Sequence, residues 1–569
     1  MKKIILGIHD GHGAGAALSV NGRIVAAVSE ERIVNIKNYS GVPIHAIKEV
    51  YKITNINPED TSAIAIVGLV RTLPPVSKED ASLIKVYKRF ARYLSGKKVT
   101  KAYISILHKY RKMSELRELF KSMNISDKEI FFIEHHKAHA ACALYQHPNG
   151  QTEDKLILTL DGAGDGLSAT VSIGNIDGIK RIASTTAYHS IANNIYSEMT
   201  GFLGLKRWEH EYKLMGMAPY GREEYCYNNV NSLVGINPKN PLEFKNYSGA
   251  YSNHLQKKFS KLFVEQRFDN LAAATQKVFE ENVVKWVKNS IKETGIYSIA
   301  CAGGAFLNVK ANSLIRELSE VSDPFFYPVA DDNGTPIGAC LEVYRILCDR
   351  DGIKPIFEPI ESLYLGREFS NSMIENELKN YPDLHFTYIE EQDIPSTIAN
   401  ELVDGKIIAR FKGKEEFGPR ALGNRTINAD PRDLRVIRKI NFAIKQRDFW
   451  MPFAPSILET DIQDYFINSK PARYMIESFQ TTSLGNDIIA ACHPFDMTAR
   501  PQTVNAWNTS YLNLITQFKE QTGVSAVLNT SFNLHGFPIV GSPKIAIDTF
   551  NNSMLDGLLL ENYYIKRSN

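Results

Sequence analysis

Residues 3–31 read KIILGIHDGHGAGAALSVNGRIVAAVSEE: an apolar run, a glycine-rich turn and two further apolar runs joined by Asn-Gly. This arrangement predicts a strand, a glycine turn and a β-hairpin. The pattern returns in residues 156–185, LILTLDGAGDGLSATVSIGNIDGIKRIAST, where Asp161 takes the place of Asp10. Two copies of one unit predict a duplicated domain of the α/β class.

Helical sequence completes this domain. Residues 269–294 carry apolar side chains at helical spacing, begin with Asp269 as the expected N-cap and stop at Gly295. Duplicated hairpin units with facing Asp-Gly turns and outer helices describe the actin-like architecture of ATPases and sugar kinases. We therefore expect the two turns to clasp the phosphates of one nucleotide.

A second domain follows. A chain of 569 residues is too long for one hydrophobic core. From about residue 350 the sequence becomes rich in proline and turn residues, which predicts a linker. The expected domains are residues 1–355 and 356–569.

The composition favours a soluble enzyme of a reducing compartment. Lys plus Arg, 66, nearly balance Asp plus Glu, 63, so no global charge attracts a nucleic acid. The six cysteines lack the spacing of a disulfide scaffold, no leader-like apolar segment follows Lys2 and Lys3, and no run has the length of a membrane helix. We expect a cytoplasmic protein with neither nucleic-acid nor membrane partners.

Four residues suggest a metal site. His135 and His139 are four apart, so a helix sets them on one face, where two imidazoles can share a metal. Asp161 and Asp332 each follow a predicted strand, and two histidines with two carboxylates suit Fe(II), Zn or Mn. A hydrogen-bonded histidine pair without metal fits the HxxxH spacing as well, and spacing alone leaves open whether the four residues converge.

Two further segments fit a nucleotide. Gly303 and Gly304 lie between a strand and a helix, where backbone N–H groups can approach a phosphate. Close packing of helix on strand explains the same glycines equally well. Lys213 could stabilise phosphate charge, although most lysines are solvated surface residues.

A basic tract marks the second domain. Arg420, Arg425, Lys445 and Arg447 lie among aromatic residues and glycines, and arginine matches phosphate oxygens with a planar fork. A small phosphorylated substrate and a nucleic acid are both candidate ligands. The intervening acidic residues count against a continuous track for a polyanion.

With these residues in view, the chain resembles the O-carbamoyltransferase family of antibiotic and nodulation-factor biosynthesis, which includes the nebramycin (tobramycin) and cephamycin carbamoyltransferases. Nine ordered blocks carry the resemblance across nearly the whole chain: HGAGAAL with VSEER, HHKAHAA, LDGAGDG, EYKLMGMAPYG, AGGAFLN, FGPRALGNR, a KxR and PFAPS pair, ARPQTV and LNTSFN.

The resemblance implies an actin-like first domain, similar to the tRNA threonylcarbamoyladenosine synthase, and a YrdC-like α+β second domain. It implies ATP, with which Mg²⁺ can bind, carbamoyl phosphate, and a metal that is typically iron. Carbamoyl phosphate and ATP would yield carbamoyl adenylate, whose carbamoyl group passes to a hydroxyl of a natural product or glycan. A homodimer is one allowed assembly.

The resemblance also implies site residues: a catalytic pair, four metal ligands, contacts to ATP or carbamoyl adenylate, and contacts to carbamoyl phosphate. In that order they are Asp10 and His12; His135, His139, Asp161 and Asp332; Lys37, Lys213, Gly303, Gly304 and Asn308; and Arg420, Lys445, Arg447, Arg500, Asn529 and Ser531. The chain departs from the family pattern at Met451, where many members have a phosphate-side arginine, and at Phe537, where Glu is usual.

Two other functions remain open from the sequence. One is a tRNA threonylcarbamoyl-transferase-like enzyme, against which the balanced charge argues. The other is a non-catalytic, actin-like nucleotide-binding regulator. Residues 70–130 and 220–265 are the expected variable surface of the acceptor pocket, and nothing in them identifies the acceptor or the hydroxyl that is carbamoylated.

Overall fold

We describe the fold from a computed structural model, which covers residues 2–69 and 113–567. It divides into two units. The first contains Met1–Glu30 and Asn38–Glu361, and the second contains Glu31–Lys37 and Ser362–Asn569. The second unit therefore takes a short segment from near the start of the chain.

The first unit contains two five-stranded sheets and a two-stranded ribbon. Its strands, in chain order, are Ile4–His9 (β1), Gly15–Val20 (β2), Arg23–Ser29 (β3), Ala63–Val67 (β4), Glu129–Ile133 (β5), Lys155–Gly164 (β6), Leu167–Asn175 (β7), Gly178–Thr186 (β8), Val234–Asn237 (β9), Asn240–Asn246 (β10), Ser298–Ala302 (β11) and Asp323–Phe326 (β12). Strands β9 and β10 form the ribbon.

The two large sheets share one topology. Their strand orders are β3-β2-β1-β4-β5 and β8-β7-β6-β11-β12. In each sheet an antiparallel meander of three strands continues into two parallel strands. The predicted duplication of an α/β unit is therefore confirmed.

Among the described residues before 362, the helices are Glu30–Val34 (α1), Ile44–Thr54 (α2), Met113–Ser122 (α3), His135–Tyr145 (α4), Glu198–Phe202 (α5), Glu211–Met217 (α6), Tyr227–Asn231 (α7), Asn253–Leu262 (α8), Phe268–Thr294 (α9), Val309–Arg316 (α10) and Thr335–Arg350 (α11). Helices α4 and α11 approach very closely at Gly338. A Cβ added there would lie 1.9 Å from the carbonyl oxygen of Ala138, so only glycine fits. Among the described residues, none of the helices combines the length and the apolarity that a bilayer span requires.

Helix α9 ends as predicted, at Gly295 in the left-handed conformation with φ of 69°. Its start differs from the prediction. The N-cap is Arg267, and Asp269 lies within the first turn, where its carboxylate accepts hydrogen bonds from the Arg267 guanidinium and the Asn270 N–H. An acidic residue in a first turn is favoured by the helix dipole whether or not it caps the helix, so the spacing alone misplaced the cap.

The linker belongs to the first unit as far as Glu361. Phe357 packs there: its ring stacks on Tyr145 with centroids 4.2 Å apart and meets Tyr344 edge-on at 5.6 Å.

The second unit is built on one eight-stranded sheet of order β13-β22-β21-β14-β15-β20-β16-β19, with a two-stranded ribbon of β17 and β18. Its strands are Phe386–Tyr388 (β13), Ile408–Phe411 (β14), Arg425–Ala429 (β15), Ala454–Leu458 (β16), Phe479–Gln480 (β17), Thr498–Ala499 (β18), Gln502–Val504 (β19), Ala526–Ser531 (β20), Gly557–Leu560 (β21) and Tyr563–Lys566 (β22). Its helices are Asn371–Leu378 (α12), Ile394–Val403 (α13), Arg435–Arg438 (α14), Ile462–Tyr465 (α15), Thr509–Thr522 (α16) and Pro543–Asn551 (α17).

Both faces of this sheet are buried. Along β14, Ile408 packs into a core with α13 and α16, whereas Ala409 and Phe411 pack into a core with α12 and α17. Successive side chains of a strand point to opposite faces, so the two cores lie on the two sides of the sheet. The second unit is thus a mixed α/β layer structure.

Candidate metal and anion sites

Four side chains of the first unit converge at one point. His135 and His139 lie one turn apart on α4, Asp161 lies on β6, and Asp332 lies just before α11. One potential ligand atom from each of the four residues lies within 4.8 Å of the others. His135 Nε2 is 3.1 Å from His139 Nε2 and 3.2 Å from Asp161 Oδ2. The structure thus brings together all four residues singled out as metal ligands.

The electrostatics of this cluster favour positive charge. Burial lowers the pKa of His135, but the carboxylates of Asp332 and Asp161 outweigh burial and raise that pKa to about 10. The pKa of Asp332 is strongly lowered, because the nearby imidazoles overcome the opposing effect of burial. A site that holds a proton so firmly also attracts a metal cation.

The donor set tests the fit of a divalent metal. Two ring nitrogens face one another at 3.1 Å, and Asp332 Oδ1 lies 3.5 Å from His135 Nε2 and 3.4 Å from His139 Nε2. This Oδ1 is buried and makes no hydrogen bond among the described residues. Two imidazoles and two carboxylates suit a borderline ion such as Fe(II), Zn(II) or Mn(II), so the residues present fit such an ion.

The neighbours of this cluster hold its histidines in place. His136 points away from it, and its Nδ1 pairs with Thr159 Oγ1 at 2.8 Å. The start of α4 is anchored by Asp165, whose Oδ2 accepts a hydrogen bond of 2.7 Å from the His135 N–H and one of 2.9 Å from the Leu69 N–H. Sequence reasoning did not single out Asp165, although it lies in the same glycine turn as Asp161.

The first glycine turn carries Asp10 and His12. Asp10 is buried, whereas the His12 side chain is exposed. His9 lies beside the metal cluster: its Nε2 donates to the His12 carbonyl at 3.1 Å and is 3.9 Å from Asp332 Oδ2. Sequence reasoning missed His9, because only the register of β1 reveals that its side chain points to the cluster.

The glycine pair Gly303 and Gly304 is constrained by close packing and by a hydrogen bond. Gly303 has φ of 103°, and a Cβ there would lie 2.3 Å from the Leu160 carbonyl oxygen. The Gly304 N–H donates to Asp161 Oδ1 at 3.1 Å, so this turn also holds a residue of the metal cluster. For Gly303, close packing is sufficient to explain the glycine.

The other residues expected near the nucleotide are buried. Asn308 exchanges two hydrogen bonds of 3.0 Å with Gln276, and its Oδ1 also caps α10. Lys213 is buried on α6. Asn308 thus lies in a packed polar network that includes the Tyr196 hydroxyl, whose pKa is raised by burial and by Glu280.

Cationic side chains cluster in the second unit. Burial lowers the pKa of Arg500 well below its usual value, and the charges of Arg420 and Arg447 lower it further. Burial likewise lowers the pKa of Lys445, with added repulsion from Arg447 and Lys37. Because these cations destabilise one another, a bound anion would relieve their repulsion.

Lys37 is located differently from the expectation. The resemblance grouped it with the nucleotide contacts of the first domain, but the structure assigns residues 31–37 to the second unit, where Lys37 repels Lys445. Arg32 holds this segment: its guanidinium donates to Glu415 Oε1 at 3.2 Å and to the carbonyls of Glu416 and Gly418 at 2.5 Å.

Hydrogen bonds hold Lys445 and Asn529 of the expected carbamoyl phosphate site. Lys445 Nζ donates to the Ser531 carbonyl and to Asn533 Oδ1. The Asn529 amide donates to Ser456 Oγ at 2.8 Å and to Gln502 Oε1 at 3.1 Å, so neighbouring side chains fix its orientation.

Arg425 of this tract differs from an anion ligand, as do the two departures noted in the sequence, Met451 and Phe537. Arg425 is fully buried, with its guanidinium 3.6 Å from the centroid of Phe411 and its donors on backbone carbonyls, which gives it a structural role. Met451 is buried, and Phe537 is exposed.

Two family models together match most of the chain. Residues 4–341 match the family model described as Carbamoyltransferase N-terminus, and residues 399–567 match Carbamoyltransferase C-terminus. An uncharacterized protein of Methanocaldococcus jannaschii is 32% identical over 99% of this chain and 100% of its own length. The nodulation protein NolNO of Sinorhizobium fredii is 29% identical over 98% of this chain and 79% of its own. Among solved structures, full-length HypF in its phosphate- and nucleotide-bound form is 14% identical over 61% of this chain and 56% of that chain, with a TM-score of 0.32.

Proposed function

Because the chain belongs to the carbamoyltransferase family, we propose that this carbamoyltransferase is an ATP-dependent O-carbamoyltransferase acting on a small-molecule hydroxyl. The resemblance drawn from the nine sequence blocks is confirmed at the level of the family. The observation that carries the proposal is the presence of two separate sites, a cation-attracting cluster in the first unit and an anion-attracting cluster in the second.

The proposed reaction has three steps. Water cleaves carbamoyl phosphate to carbamate and inorganic phosphate. A carbamate oxygen then attacks the α-phosphorus of ATP, which gives carbamoyl adenylate and pyrophosphate. Finally the acceptor hydroxyl attacks the carbamoyl carbon, AMP leaves, and the hydroxyl proton passes to a base.

The second unit would bind carbamoyl phosphate. Arg420, Lys445, Arg447 and Arg500 supply guanidinium and ammonium groups for the phosphate oxygens, and we add Lys37 to this set. Asn529 and Ser531 would shape the pocket, because the Asn529 amide is held by its neighbours and the Ser531 carbonyl fixes Lys445. A dianionic phosphate at this position would offset the mutual repulsion of the cations.

The first unit would carry out the transfer. His135, His139, Asp161 and Asp332 would hold a divalent cation, for which we favour Fe²⁺; when bound, it would supply positive charge for the phosphate oxygens of the adenylate. The exposed imidazole of His12 would accept the proton of the acceptor hydroxyl, with Asp10 as its carboxylate partner on the same turn. Lys213, Gly303, Gly304 and Asn308 would line the nucleotide.

Each of the two units would have the fold that the resemblance implies for it. Two sheets of one topology support an actin-like first unit, and a mixed sheet covered on both faces is compatible with a YrdC-like second unit. Of the expected variable surface, residues 70–112 lie outside the described residues.

The decisive experiment omits the acceptor. The protein is incubated with Fe²⁺, Mg²⁺, carbamoyl phosphate and α-labelled ATP, and we expect pyrophosphate and labelled carbamoyl adenylate. Arg500→Met should raise the KM for carbamoyl phosphate by about 10- to 100-fold, the cost of losing a charged hydrogen bond. Arg435→Met is the matched control, because Arg435 is 91% exposed and pairs only with Asp433 among the described residues.

Two outcomes would redirect the proposal. Absence of both products with wild-type protein would remove the adenylate mechanism. If His12→Asn still forms adenylate but does not accumulate it in the presence of an accepted hydroxyl, His12 is not the base. A tRNA-modifying enzyme would transfer its group to tRNA, and a regulator would bind ATP without either product.

A further inference from the structure

Glu416 is a buried carboxylate with no role in the reaction proposed above. It lies among residues 412–424, the connection between β14 and β15, and has no exposed surface. Burying a carboxylate costs free energy unless hydrogen bonds or opposite charges compensate it. The groups that Glu416 binds therefore indicate what it does.

One oxygen of Glu416 accepts three backbone hydrogen bonds from the far end of the same connection. Its Oε1 accepts from the N–H of Leu422 at 2.7 Å, of Arg425 at 3.1 Å and of Asn424 at 3.2 Å. Hydrogen bonds to an ionised acceptor are stronger than those to a neutral one. The carboxylate thus closes residues 416–425 into a loop, which we call the arginine loop because it contains Arg420.

Other side chains hold carbonyl groups of the arginine loop. The Gln502 amide and the Tyr364 hydroxyl each donate to the Leu422 carbonyl at 2.7 Å. The Asn529 amide donates to the Ala421 carbonyl at 3.1 Å. Because both N–H and C=O groups of the loop are bound to side chains, its shape is fixed before any ligand arrives.

Arg420 carries the effect of this loop to the anion cluster. The charges of Arg420 and Arg447 add to the effect of burial in lowering the pKa of Arg500. Guanidinium groups of like charge repel one another, so a rigid backbone is needed to keep Arg420 near Arg500 until an anion binds.

The negative charge of Glu416 also matches its surroundings. Burial lowers the pKa of Arg425 to about 10, and the charges of Glu416 and Glu415 oppose that change. Glu416 Oε2 is buried and makes no hydrogen bond among the described residues. A glutamine would keep one oxygen acceptor for the three N–H groups, but it would lose the charge and bury an amide group at the position of Oε2.

We propose that Glu416 is a positioning residue of the anion site: by closing the arginine loop, its carboxylate holds Arg420 where the guanidinium binds the phosphate group of carbamoyl phosphate. This inference rests on the proposed function and adds to it a residue that does not itself touch the ligand. Glu416 acts on the substrate only through Arg420, which distinguishes it from the cations of the cluster.

The first test is a double-mutant cycle on the KM for carbamoyl phosphate, measured by pyrophosphate release from the full-length protein. Glu416→Ala should raise this KM by about tenfold or more, the cost of a misplaced charged hydrogen bond, and should change kcat less. In the Arg420→Met background, Glu416→Ala should raise the KM by less than about twofold, because both changes remove the same contact. Factors that multiply in the double variant would overturn the inference.

Two further variants separate positioning from loss of folding. Glu416→Gln should give a KM between those of the wild type and Glu416→Ala, and it replaces Glu416→Ala in the cycle if the alanine variant does not fold. Asp556→Ala is the matched control, because Asp556 accepts the Ile407 N–H at 2.8 Å at the opposite end of β14. It should lower the urea midpoint and leave the KM unchanged. An equal rise of the KM in Asp556→Ala would overturn the inference.

Amide hydrogen exchange tests the arginine loop without turnover. The N–H groups of Leu422, Asn424 and Arg425 should exchange faster in Glu416→Gln than in the wild type, and added inorganic phosphate should slow them again. Absence of pyrophosphate release by the wild type refutes the proposed function. Normal release with an unchanged KM and unchanged exchange in the Glu416 variants refutes only the role of Glu416.

Discussion

His139 is the residue through which the metal cluster is most directly tested. It is buried, and its Nε2 lies 3.1 Å from His135 Nε2. His139→Ala removes one of the four proposed ligands, so we expect the affinity for Fe²⁺ or Zn²⁺ to fall by at least about 100-fold, beyond the effect of an outer-shell change. Metal content after dialysis, measured by mass spectrometry, checks this. His254→Ala, at an exposed position, should keep the metal, and full retention in His139→Ala would contradict the site.

The raised pKa of His135 makes the cluster sensitive to pH. In the metal-free protein this imidazole holds its proton up to a pKa of about 10, against 6.5 for an ordinary histidine. Its contribution to stability is complete below pH 6.5 and is lost as the pH rises through about 10, at up to about 1.4 kcal/mol per pH unit. We therefore expect the urea concentration at the unfolding midpoint, measured in EDTA, to decrease as the pH is raised from 6.5 to 10.

Metal affinity should change in the opposite sense over the same pH window. Binding displaces the proton from His135, so each unit of pH should increase the apparent affinity by up to about tenfold. Competition with a chromogenic chelator measures this slope. A flat profile between pH 6.5 and 9 would show that no proton leaves the site on binding.

At the scale of elements, the segment 31–37 is tested through Arg32. Its side chain is 3% exposed and pairs with the equally buried Glu415. Arg32→Ala leaves this carboxylate paired with Arg367, and removing one partner of a buried pair costs about 3–5 kcal/mol. Urea unfolding should show a transition of lower midpoint, whereas Arg435→Ala, at a highly exposed position, should leave it unchanged.

The same change should weaken the anion site. Arg32 holds the carbonyls of Glu416 and Gly418, and Arg420 follows two residues later. If the loop shifts, the KM for carbamoyl phosphate should rise while the acceptor KM does not. An unchanged KM for carbamoyl phosphate in a stable Arg32→Ala protein would limit Arg32 to a structural role.

The repeated hairpins were predictable, because glycine turns and the pairs Asn21-Gly22 and Asp177-Gly178 are local signals. The four residues of the metal cluster were predictable as types, but their convergence depends on β6, α4 and α11, which are distant in the chain. His9 was not predictable: a histidine at a strand end has the same sequence pattern whether it faces a metal or solvent. The position of Lys37 was equally hidden, since the resemblance grouped it with the nucleotide contacts of the first domain and no local signal places residues 31–37 in the second unit.

At the scale of the whole molecule, the division into units is not a single cut in the chain. A fragment of residues 362–569 has the sheet of the second unit but lacks Glu31–Lys37. We expect this fragment to melt below the corresponding transition of the full chain. Adding a peptide of residues 28–40 should raise its melting temperature in proportion to occupancy.

The peptide also provides the control. A version with Arg32→Ala loses the hydrogen bonds to Glu415, Glu416 and Gly418, so it should have little effect on the melting temperature. Equal stabilisation by both peptides would show that Arg32 does not hold the segment. A fragment as stable alone as in the full chain would show that the segment is dispensable.

The segment 31–37 also determines when the second unit can complete its fold during synthesis. Arg32 leaves the ribosome long before its partner Glu415, which follows 383 residues later. At roughly 5–20 residues per second, this guanidinium waits about 20 to 80 seconds for its carboxylate. The larger part of the first unit, Asn38–Glu361, is translated during that interval. The second unit therefore completes its fold only when it binds residues 31–37, a segment that was synthesised before most of the first unit.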